Sequence, residues 1–208
     1  MGQPPVGVDS MAITHHYLFN TATQYFDTVG TTHFTNNYGS IFATGKINQC
    51  YQSTYNMINT TSAATSANPL PTSGSYSIVL WFFPYSSTGA SGIFNIYNSS
   101  TLLNNLRLYA DPSTGTVTFY DNSSNTHTLT SSVTYNAWNH LAIVWNGTTW
   151  AYYVNGASKS ASGTAPNATN AQASTCVFRL MGENSAGGFY IDDLRIYNNA
   201  ITATDVGL

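Results

Sequence analysis

The chain has 208 residues with five Lys and Arg against eight Asp and Glu, a formal net charge of −3, and no basic cluster, which argues against nucleic acid as a partner. Charged residues make up only 6%, where about 25% is usual, while 14% are aromatic, a balance opposite to that of disordered chains. No run of eighteen apolar residues is present to span a membrane as a helix, and the N-terminal stretch lacks the basic and apolar regions of a signal peptide and fails the myristoylation pattern.

Residues 1 to 13 contain Pro4, Pro5 and Gly7, show no periodicity, and read as an N-terminal arm suited to packing on a neighbouring chain. Residues 14 to 208 form the domain. Thr14 to Asn20 is the first predicted strand, with His15, Tyr17 and Phe19 on one face and His16 and Leu18 on the other. Adjacent histidines on one strand cannot chelate a common metal. A turn at Asp27 to Gly30 leads into a long polar loop reaching Gly45, and Gln49 to Asn59 reads as a strand with a bend, carrying Cys50, Tyr51 and Tyr55.

Tyr76 to Tyr85 is nearly continuous in apolar residues, which predicts a central strand covered on both faces. Short alternating strands follow at Gly92 to Tyr97, Leu106 to Ala110 and Thr116 to Asp121, then His127 to Val133 and Trp138 to Trp145. The dipeptides Asn146-Gly147 and Asn155-Gly156 bracket Thr149 to Val154 as hairpin turns. A loop is expected over residues 157 to 173, then strands at Ser174 to Leu180 and Phe189 to Tyr197. On a regular last strand Tyr190, Asp192, Leu194 and Ile196 share one face, and Asp193 leaves the other. Asp192 would then be a carboxylate among core residues, costly unless hydrogen bonds or a cation compensate it. Thr202 to Asp205 has the form of a capping box. About a dozen short strands and no long helical period predict an all-β, two-sheet antiparallel β-sandwich.

Trp138-Asn-His140 through Trp145-Asn-Gly147, followed by Trp150-Ala-Tyr-Tyr-Val-Asn-Gly156, resembles the signature of laminin-G-like, concanavalin-A-like jelly-roll domains. Ile191-Asp-Asp-Leu-Arg-Ile-Tyr-Asn-Asn-Ala-Ile201 is similar to the closing strand of that family. Tyr17 to Asn20 with Asp27 and Gly30, Gly45 to Cys50, and Ser77 to Trp81 add matches in the same order, over about residues 14 to 206. The resemblance implies a jelly roll and, often, one structural calcium ion, for which it points to Asp27 and Asp192. The alternative for Asp192 is a structural carboxylate accepting backbone or tyrosine hydrogen bonds.

Glycosidases generally place two carboxylates around the scissile bond. The single Glu, Glu183, and the opposed Asp192 and Asp193 do not supply that pair, so no catalytic residue is assigned and the chain reads as a non-enzyme. Cys50 and Cys176 read as buried free thiols rather than a disulfide, and the Asn-X-Ser/Thr sequons are near chance in so polar a chain. The resulting expectation is a non-enzymatic structural or adhesion protein of a virion surface, as a capsid decoration or tail component, with a glycan or host polysaccharide and other assembly subunits as partners. A secreted lectin-like module is the alternative, and a hydrolase of the same fold is disfavoured. Either main reading places the protein extracellularly or on a virion.

Overall fold

The computed structural model describes residues 13–20, 25–36, 41–53, 58–62, 65–85, 90–130, 132–180 and 188–206. Most of the predicted arm, residues 1 to 12, lies outside them, as do Tyr55 and Glu183; Ile13 already belongs to the first strand.

Two eight-stranded antiparallel sheets carry the fold. Sheet A contains β1 (Ile13–Tyr17), β3 (Ile41–Thr44), β4 (Gln49–Ser53), β7 (Tyr76–Pro84), β12 (Asn139–Trp145), β13 (Trp150–Val154), β14 (Ala157–Lys159) and β16 (Phe189–Tyr197). Its order is β14-β13-β12-β7-β16-β4-β3, with β1 also paired to β16. Sheet B contains β2 (His33–Asn36), β5 (Ile58–Ser62), β6 (Thr65–Ser66), β8 (Ser91–Asn98), β9 (Asn104–Asp111), β10 (Thr116–Tyr120), β11 (Thr126–Leu129) and β15 (Cys176–Leu180), in the order β11-β10-β9-β8-β15-β5-β2, with β6 on β5. Among the described residues the only helical segment is a 3-10 turn at Thr169–Gln172.

Alternation builds the core. Tyr76, Ile78, Leu80 and Phe82 of β7 point between the sheets, where they join Phe94, Ile96, Leu106, Leu108, Phe119 and Phe178 from sheet B. Burying such side chains stabilises by roughly 1.5 to 3 kcal/mol each. The other face of β7 is covered only in part. Val79 lies under a second apolar cluster with Ala142, Val144, Tyr197, Ile201 and Val206, whereas Trp81 and Phe83 remain half-exposed. The expectation of a strand covered on both faces therefore holds for its first half alone.

Some sequence expectations are corrected. The polar loop before Gly45 contains two short strands, β2 and β3, and β14 occupies the start of the loop expected at 157 to 173. The stretch expected as one bent strand is β4 in sheet A and β5 in sheet B. Cys50 and Cys176 are both buried and free.

The largest correction concerns β16. Its pairing with β7 is regular from Phe189 to Asp192, slips, and resumes at Arg195 opposite Val79. Asp193 at the slip has φ of 49°, a left-handed conformation that Asp tolerates better than most residues. This bulge reverses the facing of the strand midway. Leu194 and Ile196 continue the core face begun by Phe189 and Ile191, and Asp192, opposite Trp81, falls on the outer face with Tyr190. Asp192 therefore does not share a face with Leu194 and Ile196.

Candidate functional site

The two carboxylates expected to hold calcium serve different networks. Asp27 closes the turn after β1. Its Oδ1 accepts the N–H groups of His16 (3.0 Å), Val29 (3.1 Å) and Gly30 (2.9 Å), and its Oδ2 lies 2.5 Å from His15 Nδ1. Burial pushes this carboxyl up, but the Gly30, His16 and Val29 N–H groups and the His15 ring outweigh it and hold it below its ordinary range. Asp192 is wholly buried; its Oδ2 accepts from the Ile47 N–H (2.8 Å) and its Oδ1 from the Asp193 N–H (2.8 Å). Burial, with a smaller contribution from Asp193, pushes Asp192 up to about 6 against the pull of those N–H groups. The carboxylate thus pins the β3–β4 turn, where the Gly45 N–H donates to the Asn48 carbonyl, onto β16.

Calcium takes six to eight oxygen ligands. The oxygens of Asp27 and Asp192 are instead turned toward N–H donors, and among the described residues no group of three or more His, Cys, Asp or Glu is arranged to hold a metal. This donor set does not fit an ion shared between the two.

Asp193 does not leave the opposite face as a regular strand would require. Its Oδ1 lies 2.6 Å from His16 Nε2 and accepts from Arg195 Nε (3.0 Å), and its Oδ2 accepts from Arg195 Nη2 (2.7 Å). Both adjacent carboxylates are therefore buried and engaged in hydrogen bonds.

The Trp-x-His motif proves architectural. The His140 N–H donates to Asn155 Oδ1 and its carbonyl accepts the Asn155 N–H, which clamps β12 to the Asn155-Gly156 turn. The His140 ring packs on Trp81, with centroids 4.9 Å apart, and its buried Nδ1 has no hydrogen-bond partner. Burial, aided by Arg195 and opposed by Asp193, pushes this imidazole down to about 4. Nearby, Phe83 contacts Trp138 and Tyr190, and Lys46 Nζ lies 4.4 Å from the Trp81 ring centre.

The outer face of sheet B carries a cross-strand row of polar and aromatic residues. While Leu106 and Leu108, Val117 and Phe119, Phe94 and Ile96, and Phe178 and Leu180 point inward, the alternate residues form a row across four strands. Tyr120 is opposite Arg107, Arg107 opposite Asn95, and Asn95 opposite Arg179. The rings of Tyr109 and Tyr120 stack at 5.5 Å and 25°, and Arg107 Nη1 donates to both hydroxyls, at 3.4 and 3.5 Å. At the other end the Arg179 guanidinium lies 4.1 Å over the Tyr97 ring. These tyrosines and arginines are half-buried and Asn95 is wholly buried.

None of these six residues is a site candidate in the sequence reading. The available signal is Arg107 and Tyr109 two apart on one strand with Tyr120 on the next, joined by a short turn. The missing information is that β15, with Arg179, pairs with β8 from about eighty positions away.

The model of the concanavalin A-like lectin/glucanases superfamily matches residues 58–207. No curated protein matches the chain. Among solved structures, domain 4 of AbnA, a GH43 extracellular arabinanase from Geobacillus stearothermophilus, in complex with arabinotriose, is similar at 23% identity and a TM-score of 0.68, over 93% of this chain and 96% of that one. The ligand-binding domain of botulinum neurotoxin serotype D, in complex with N-acetylneuraminic acid, is similar at 14% identity and a TM-score of 0.67, over 93% of this chain and 49% of that one. The serotype G binding domain gives 12% identity and a TM-score of 0.66, over 94% and 50%. The chain thus spans about half the length of the neurotoxin binding domains it matches, and at these identities the likeness is one of fold. The jelly roll of two antiparallel sheets and the match over residues 58–207 together place the chain in the concanavalin A-like lectin/glucanases superfamily.

Proposed function

We propose that the chain is a non-catalytic carbohydrate-binding module whose sugar-contacting surface is the outer face of sheet B. The observation that carries this reading is the cross-strand row of half-buried Tyr120, Arg107 and Arg179, set on either side of the wholly buried Asn95 and flanked by Tyr109 and Tyr97. Sugar recognition needs flat apolar faces for stacking and fixed polar groups for hydroxyls, and this row offers both on a rigid sheet. The aromatic group around Trp81, Phe83 and Trp138 is a poorer match, because the nearby carboxylates of Asp192 and Asp193 are buried and already bonded. Support also comes from the similar domains crystallised with arabinotriose and with N-acetylneuraminic acid. Displayed on a particle or secreted, such a module would meet its glycan outside the cell.

The test is a glycan array followed by calorimetric titration of the best binder. Tyr97→Ala and the double change Tyr109→Ala with Tyr120→Ala should each weaken binding at least tenfold, while Trp138→Ala should not. Full affinity in both tyrosine variants, or loss of binding in Trp138→Ala alone, would move the site to sheet A.

A further inference from the structure

We propose that the aromatic strip on the outer face of sheet A, built by Trp138, Phe83 and Tyr190, is a docking surface for the N-terminal arm, residues 1 to 12, of a second copy of this chain. This goes beyond the sheet B reading and does not depend on it. Phe83 is opposite Tyr190, and its ring lies 5.5 Å from the Tyr190 ring and 5.5 Å from that of Trp138, so one half-exposed strip crosses β16, β7 and the entry to β12. Beside it Trp81, also half-exposed, carries Lys46 Nζ 4.4 Å from its ring centre. Contiguous apolar surface on an outer face marks a contact site more often than isolated exposed residues do. Lys46 is exposed and pairs with no carboxylate among the described residues, since Asp192 and Asp193 of β16 are buried and bonded elsewhere.

Composition, charge and chain direction point to the arm as the occupant. The arm lies outside the described residues; its sequence holds Pro4-Pro5 followed by Val6 and Val8, with Asp9 its only charged side chain, opposite in sign to Lys46. Proline-rich segments favour polyproline II before they bind, and they dock on aromatic-lined surfaces at little entropic cost. The direction of β1 selects a second copy. It runs antiparallel to β16, with Ile13 opposite Tyr197 and Tyr17 opposite Leu194, so the chain before Ile13 leaves sheet A at the end of β16 away from Tyr190. From Ser77, opposite Tyr197, to Phe83, opposite Tyr190, is about 20 Å along β7. Over that outer face Ile201 and Val206 are already packed with Val79 and Tyr197, across the path of an arm folding back on its own chain. Residues 5 to 12 would span about 25 Å as polyproline II, long enough to reach a neighbour. Reciprocal exchange of arms between two copies closes a two-fold dimer, each arm on the other's strip.

Sedimentation equilibrium of the full chain over a range of concentrations should show reversible dimers. Phe83→Ala, and separately Pro4→Gly combined with Pro5→Gly, should each raise the dimer dissociation constant roughly tenfold or more. Asp9→Lys and Lys46→Glu should each weaken the dimer, and the two changes together should recover part of the loss. A synthetic peptide of residues 1 to 12, titrated into the full chain, should compete and release monomers. Circular dichroism and melting check the fold of each variant; Trp138→Ala takes the place of Phe83→Ala should that variant not fold, and the arm changes precede β1 altogether. A chain that stays monomeric at every concentration, or dimers indifferent to the arm changes, would overturn the proposal. Dimers lost on changing the arm but kept by both Phe83→Ala and Trp138→Ala would overturn the strip as the surface that receives it.

Discussion

The ring of His16 lies 2.6 Å from the carboxylate of Asp193, and the backbone N–H of the same histidine donates to Asp27. One residue of β1 thus ties the first turn of the domain to the bulge of its last strand. Burial pushes Asp193 up, but the His16 ring and the Arg195 guanidinium outweigh it and hold the carboxyl below its ordinary value. A carboxyl lowered in the folded state contributes stability above the ordinary carboxylate range, and that stability is lost as pH falls through the folded value. The Arg195 side chain is 37% exposed, so water screens part of the pairing. Asp193→Asn should therefore cost about 1 to 2 kcal/mol at pH 7, less than a fully buried ion pair. The deficit should shrink below about pH 4. Chemical denaturation of both proteins at pH 7 and pH 3 checks the size and the sign.

Gly45 is predicted to tolerate no side chain. A Cβ there would lie 2.7 Å from Asp192 Oδ2 and 2.6 Å from the backbone of Gln49, neither of which can move without releasing the turn from β16. Gly45→Ala should cost about 1 to 3 kcal/mol. Gly74, with open space around its Cβ position, provides the contrast, although its φ of 83° makes that substitution strained for a separate reason. A melting temperature for Gly45→Ala equal to the parent's would show that the turn shifts freely.

Melting curves with calcium and with EDTA are expected to coincide, because the oxygens of Asp27 and Asp192 are directed at backbone N–H groups. An ion binding only the folded state, present a hundredfold above its Kd, would add about 2.7 kcal/mol. A rise of several degrees on adding calcium, lost in Asp192→Asn, would restore the shared ion.

His140 should impose a pH dependence of its own. Its folded value near 4 lies below the ordinary imidazole range, so between about pH 6.5 and pH 4 the unfolded chain binds the extra proton. Stability is lost as pH falls through that window, by roughly 1 kcal/mol per unit. His140→Leu should abolish this slope in the variant, so that the stability difference between variant and parent changes with pH when both are measured by denaturant titration from pH 7 to pH 4.5. A constant difference over that range would mean that the imidazole titrates normally.

The strands and the sandwich class are legible because alternation and turn dipeptides are local. Asn155-Gly156 and Ile93-to-Tyr97-type patterns announce themselves within ten residues. What fails is whatever depends on pairing between distant segments. Nothing local to Ile191–Ile196 reveals that Asp193 adopts a left-handed conformation, yet that one dihedral moves Asp192 from the core face to the outer one. The same holds for the sheet B row. Tyr97, Tyr109 and Tyr120 are three of fifteen tyrosines, and the pairing of β9 with β10 and of β8 with both β9 and β15 sets them around Arg107 and Arg179.

The position of β16 between β7 and β4, with β1 also paired to it, bears on how the protein is made. During synthesis β1, β4 and β7 emerge well before the strand that joins them. A ribosome-bound chain ending before residue 188 would carry half of sheet A on each side of an open seam, its β7 edge apolar and unpaired. Pairings between the first and last strands are the slowest kind to form. Sheet A must therefore wait for β16 to emerge, and release of the chain before that stage would leave a product primed to associate edge to edge with its neighbours.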